Sequence, residues 1–270
     1  MSAHSQEQLE HFAQIDHERR FKWQTEDPFV TEREHATIRP LADALRERRA
    51  ALGRPLRALE SGCGEGVNMI HLRQMGLNPS DYEFEGVDFS PEAVAEGVRH
   101  GMKLSVGNGL NLPYPDASFD VVYTRDVLHH LADDAERKQF FFEMKRVVKP
   151  DGSVVILEPN PLNSMIWAFA WLIRAERGIL TGKESRITAL LPGARVTRVT
   201  PSAAWRGWYH YRSPLRSWSV SAAAVKSALR VWETVCKHMP TRFWAWRAYE
   251  WNGGSVSNKE DDVKSSIGTP

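Results

Sequence analysis

Cysteine is scarce in this chain, with Cys63 and Cys236 the only two among 270 residues. Neither a disulfide framework nor a thiolate metal site can be built from so few, and no metal site is expected. A charge of one sign is missing too. The 35 basic residues face 34 acidic ones for a net +1, which argues against a nucleic acid partner held by its backbone charge. No apolar run approaches the roughly 18 residues of a membrane span, and Met165 to Ile173 reaches about half of it. The first residues (Ser2, His4, Gln6, Glu7, Glu10) lack the apolar stretch of a signal peptide, so a cytoplasmic, reducing setting is expected.

What is present begins with Leu59-Glu60-Ser61-Gly62-Cys63-Gly64-Glu65-Gly66. A short apolar run (Leu56, Ala58, Leu59) ends in an acid, three glycines follow at alternate positions, and a helical pattern (Val67, Ile70, His71, Gln74) starts at once. That is strand, tight turn, helix. Glycine suits a loop lying against a nucleotide, because the backbone must take positive φ and approach the ligand without a Cβ between them. The spacing is G-x-G-x-G, whereas a dinucleotide loop has G-x-G-x-x-G and would need a glycine where Val67 stands. Glu60 would sit badly beside a pyrophosphate but suits a cationic group such as an amino acid ammonium. The bland alternative is a plain Gly-rich turn.

Further along, the strand Tyr82 to Asp88 also ends in an acid, 22 positions beyond Gly66. An acid there accepts from the two ribose hydroxyls of a nucleoside. Ser90-Pro91 caps the next helix. Leu104 to Tyr114 reads as a third strand leaving into a polar turn, Ser118 to Thr124 as a fourth, buried on both faces, and Ser153 to Leu157 as a fifth. Asp133 caps a helix with Phe140, Phe141, Met144 and Val147 on its buried side.

Glu60-Ser61-Gly62-Cys63-Gly64-Glu65-Gly66, and the order of segments from about 55 to 160, resemble the class I S-adenosylmethionine-dependent methyltransferases of small-molecule type. The resemblance implies S-adenosyl-L-methionine as cofactor, with Glu60 and the Gly62-Gly64-Gly66 turn at its methionine part and Asp88 and Phe89 at the ribose. Asn108 and Gly109 fall near adenine; the family usually has an aspartate where Asn108 stands, and the amide still offers a carbonyl oxygen. Arg125-Asp126-Val127-Leu128-His129-His130-Leu131 resembles the family's fourth motif, with the Arg125 backbone at the cofactor and the following side chains facing the acceptor.

The expected fold class is α/β: a Rossmann-like, doubly wound, mostly parallel seven-stranded sheet with N-terminal helices and a helical, aromatic cap. Residues 1–53 form N-terminal helices covering the pocket, one over 7–24 and a second over about 31–52 interrupted near Pro40; 54–160 form the cofactor-binding core. Residues 161–251 supply the cap and two closing antiparallel strands (Arg195 to Thr200 and about Phe243 to Tyr249), and 252–270 a disordered tail. Seven of ten tryptophans fall between 205 and 251, and Trp167 and Trp171 lie on an apolar helix. With Arg206 and Arg212 among four aromatics, the cap reads as an acceptor pocket, a surface resting on a membrane, or ordinary core.

Methyl transfer from a sulfonium needs alignment and exclusion of water more than a fixed catalytic set. A general base is needed only for a hydroxyl or protonated amine, and His129 or His130 is the candidate, with plain packing as the alternative. The expected acceptor is a small aromatic or amphipathic metabolite or a lipid-like molecule. Two rivals remain: a non-catalytic partner subunit that binds the nucleoside, and a nucleotide-cofactor oxidoreductase, disfavoured by the glycine spacing. Oligomeric state is not legible.

Overall fold

The computed structural model describes residue 6 and residues 8–10, 13–212 and 219–253. Phe119–Arg125 shows no polar alternation, and all of its residues are buried, as suits the middle of a parallel sheet covered on both faces. Around this strand, β4, run β1 (Leu56–Ser61), β2 (Tyr82–Asp88), β3 (Leu104–Val106) and β5 (Val148–Pro159), all parallel. With β6 (Arg195–Val199) and β7 (Trp246–Asn252) they make a seven-stranded sheet of order β3-β2-β1-β4-β5-β7-β6. β7 lies between β5 and β6 and is antiparallel to both. Of the two strands expected to be antiparallel, only β7 therefore opposes the sheet, and β6 points with β1 to β5. The chain leaves β1 for β2 on one side and returns to β4 on the other, so a crevice opens over the carboxyl ends of β1 and β4.

Helices cover both faces. α1 (His17–Glu26) and α2 (Pro28–Leu52) precede the sheet; α3 (Val67–Gln74), α4 (Pro91–Arg99) and α5 (Asp134–Val147) alternate with its strands. The α2 residues Ile38, Leu41 and Leu45 pack with Met69 and Leu72 of α3 on one layer, and Phe140, Phe141, Met144 and Val147 of α5 on the other. Beyond β5 come α6 (Ser164–Leu172), a 3-10 segment (Arg174–Thr181), α7 (Glu184–Leu190), α8 (Ala204–Trp208) and α9 (Ser219–Lys237).

Two N-terminal expectations are corrected. The stretch 7–24 is not one helix: Asp16 accepts from the Arg19 amide at 3.0 Å and starts α1 afresh after a turn, because an aspartate at that place satisfies amides a continuing helix would leave to its own carbonyls. Pro40 does not interrupt α2, which runs through it. One backbone bond is lost there, and the complete burial of Ile38, Leu41, Ala42 and Leu45 outweighs it. The disordered tail expected from 252 falls, after Gly253, outside the described residues, as do residues 7, 11 and 12 of the expected first helix. Among the described residues no helix is long and apolar enough to cross a membrane.

Candidate active site over the glycine turn

All three glycines of the turn take positive φ, +78° at Gly62, +52° at Gly64 and +74° at Gly66, a region that other residues enter only with strain. They differ in what surrounds them. A Cβ on Gly62 would stand 2.4 Å from Val127 Cγ2, and one on Gly66 3.1 Å from Met102 Cγ, whereas one on Gly64 meets nothing within 4 Å. The chain itself thus needs Gly62 and Gly66, and Gly64 borders open space.

Glu60, fully buried at the end of β1, receives the Asn68 amide on Oε1 at 2.5 Å. Burial pushes its carboxyl up to about 8, with Asn68 and the Tyr123 hydroxyl pulling the other way. Its Oε2 makes no hydrogen bond of good geometry, nor does the buried Ser61 hydroxyl next to it. Buried polar atoms of this kind call for a partner.

Asp88 ends β2 beside the same turn, its Oδ2 accepting from the Gly64 amide at 2.7 Å and its Oδ1 from the Ser90 amide at 2.9 Å. Burial raises its pKa against the pull of those two N–H groups. Phe89 is half-buried. Asn108 is exposed and its Oδ1 accepts from the Leu110 amide at 2.9 Å, an Asx turn. A Cβ on Gly109 would stand 2.5 Å from Phe140 and 3.0 Å from Ser61 Oγ, which ties that turn to the end of β1.

At the end of β4 the side chain of Arg125 ties this strand to α3 and α2. It donates to Asn68 Oδ1 at 2.8 Å and pairs with Glu34 at 2.5 Å. Asp126 follows with φ +57°, strain of about 1–3 kcal/mol that the surroundings must hold in place. Arg206 and the Trp246 indole N–H supply that hold, at 3.0 and 2.9 Å. Burial raises Glu34, yet Arg125 and Arg206 outweigh it and hold the carboxyl near 2; Asp126 is lowered by the same two guanidiniums against the same burial. Arg206 is therefore held by two carboxylates, Glu34 and Asp126. Glu34 and Asn68 escaped the sequence reading, for they meet Arg125 only in three dimensions.

The N-terminal helix reaches the glycine turn. His17 Nδ1 lies 2.6 Å from Glu65 Oε1, and Arg20 lies 3.7 Å from the same oxygen. Burial raises Glu65, but Arg20 and His17 bring it below the usual carboxylate range.

His129 and His130 sit on a 3-10 turn, Leu128–His130, just after β4. His129 is buried, with Nδ1 2.8 Å from Glu158 Oε2 and Nε2 3.3 Å from Glu176 Oε2. Burial alone would lower it; Glu158 and Glu176 instead raise it to about 10. The sequence reading passed over Glu158, an acid ending its strand, and Glu176. A mostly apolar cavity of about 190 Å³ adjoins the turn, lined among others by Leu128, His129, Phe141, Ile179 and Leu190. Of the three cap residues chosen from sequence, none lines it. Trp167 is 51 % exposed on α6 beside exposed Phe169, Trp171 and Leu172; Arg212 is exposed, donating to the Gln14 carbonyl at 3.3 Å.

Against known proteins, a family model described as a methyltransferase domain matches residues 59–156. Norajmaline N-methyltransferase of Rauvolfia serpentina is 34% identical over 113 residues, covering 38% of this chain and 36% of that protein. The 27-O-demethylrifamycin SV methyltransferase of Amycolatopsis mediterranei is 31% identical over 144 residues, 47% of this chain and 50% of that protein. The matches thus span no more than half the length of these relatives. Among solved structures, geranyl diphosphate C-methyltransferase from Streptomyces coelicolor A3(2) has the same fold, with a TM-score of 0.56 at 14% identity over 93% of this chain and 98% of that one.

Proposed function

We propose, from the match of residues 59–156 to a methyltransferase domain, that this chain is a class I S-adenosylmethionine-dependent methyltransferase that binds S-adenosyl-L-methionine over its glycine turn and methylates a small molecule. The observation that carries the reading is the buried carboxyl of Glu60 near the end of the strand leading into the glycine turn, with an Oε2 that makes no hydrogen bond of good geometry. A carboxylate there suits an ammonium group, and no phosphate would be stable against it. In this reading Gly62, Gly64 and Gly66 wrap the methionine part, Asp88 with Phe89 holds the ribose, Asn108 and Gly109 border adenine, and the Arg125 backbone completes the rim. The bound cofactor supplies a methyl already activated on a sulfonium. The protein's work is alignment and exclusion of water, and in this reading α1, joined to the turn by His17 and Arg20 at Glu65, serves as a cover.

For the acceptor, the apolar cavity beside His129 favours a compact apolar or aromatic group, and the names of the two relatives, for norajmaline and 27-O-demethylrifamycin SV, support small-molecule chemistry. The exposed apolar face of α6 adds support for an amphipathic or lipid-like acceptor presented at a surface. His129 already holds its proton at neutral pH and is no free base for a hydroxyl acceptor. Trp167 and Arg212 line no wall of the cavity and fit an outer approach.

Titrating the purified protein with S-adenosylmethionine, S-adenosylhomocysteine and NAD tests the reading. Binding of the first two without the third is expected; NAD alone binding would make it an oxidoreductase. A binding subunit without turnover would take up the cofactor yet pass no radiolabelled methyl to any extractable metabolite.

A further inference from the structure

Two histidines and a glutamate meet where the turn after β4 touches the 3-10 segment Arg174–Thr181. One ligand atom from each of His129, His130 and Glu176 lies within 4.8 Å of the others. Nitrogen, nitrogen and carboxylate oxygen form a donor set suited to zinc, iron, cobalt or manganese and poorly suited to magnesium or calcium, which take oxygen. We propose that this cluster is a binding site for one divalent transition-metal ion.

Three features of the surroundings fit a built site. Glu158 Oε2 fixes His129 Nδ1 at 2.8 Å, while Glu158 Oε1 accepts from the Val127 and Leu128 amides at 2.9 and 2.8 Å. The carboxylate is therefore anchored, the ring orientation is set, and Nε2 is the atom turned to Glu176; a carboxylate behind a ligating imidazole is the usual support of such sites. Next, Gly178 brings Glu176 close: a Cβ there would stand 1.7 Å from the His129 carbonyl oxygen, so only glycine lets the 3-10 segment lie on the histidine turn. Last, His129 is buried, while Glu176 keeps 21% of its side-chain surface and His130 is half-buried, which leaves the ion an entry path. Ligand atoms on a tetrahedral ion stand about 3.3 Å apart at bonds of about 2.0–2.1 Å, so modest side-chain rotation closes the cluster. The rings of His129 and His130 are already 4.1 Å apart at 47°.

A ligating imidazole is not a base, so with the ion bound neither histidine serves as the base considered for a hydroxyl acceptor. Metal binding itself does not depend on the methyl-transfer reading.

The test uses the full chain, stripped with a chelator and titrated with Co²⁺ alone. Visible d–d bands saturating at one equivalent per chain are expected, with release of protons as Co²⁺ binds, and Zn²⁺ should displace the bands. Glu176→Gln and His130→Ala should abolish the bands, and Glu158→Gln should weaken cobalt affinity about 10–100-fold, each with the parent's far-ultraviolet circular dichroism. Absence of bands in a folded parent, or bands untouched in folded Glu176→Gln, would overturn the site and leave an imidazolium bridging two carboxylates. Cofactor titration of the same stripped sample separates failure of the metal site from failure of the methyltransferase reading.

Discussion

At the scale of single residues, Glu60 links the site to pH. Burial pushes its carboxyl up to about 8 from the ordinary 4.5, so the protonated form suits the ligand-free protein. The stability it contributes is complete below about 4.5 and is lost as pH rises toward about 8. A bound ammonium reverses this, because it pairs with the ionised carboxylate. Thermal melts across that window should show the ligand-free protein falling and the gain from S-adenosylmethionine growing with pH, and Glu60→Gln should flatten both trends. Equal slopes in parent and variant would remove Glu60 from the site. Asp88 is the second single-residue test. Asp88→Ala leaves the ribose hydroxyls without an acceptor and should weaken cofactor binding by about 1–3 kcal/mol in calorimetry. It also frees the Gly64 and Ser90 amides, so Asp88→Asn, which keeps an acceptor oxygen, should recover part of the loss.

At the scale of elements, the glycine turn separates fold from function. Gly62→Ala drives a methyl into Val127 and should destabilise the fold, whereas Gly64→Val meets open space at φ +52° and should abolish cofactor binding while the sheet still forms. Circular dichroism and calorimetry on the pair give the answer; unchanged affinity in Gly64→Val would make the turn a mere connection. Both glycines were legible in the sequence, because strand, alternate glycines and helix follow each other within eleven residues or so and local pattern decides them. The strands β1, β2, β4 and β5 were legible for the same reason. The groups around Arg125 were not. Glu34 lies on α2, Asn68 on α3 and Arg206 on α8, and no periodicity links positions so far apart. Pro40 misled because propensity is local, while the burial that overrides it is tertiary. Arg206 misled in the opposite sense, since an arginine among aromatics looks available until its two buried carboxylates are seen.

For the whole molecule, the sheet closes out of sequence order. β7 pairs with β5 from Ser153↔Asn252 to Pro159↔Trp246 and with β6 from Arg195↔Glu250 to Val199↔Trp246. A chain stopped at residue 240 should lose both ladders, strip cover from β5 and turn up in the insoluble fraction; a soluble monomer on a sizing column would contradict this. The same insertion shapes the protein's birth. Domains begin to form from the N-terminal side while still on the ribosome, and by then β1 to β5 can assemble the crevice and its glycine turn. The flank of β5 stays bare until the last strand clears the exit tunnel, with β6 already made and waiting. That interval is when a nascent chain is most exposed to a neighbour's strand, and a chaperone shielding β5 would matter most there.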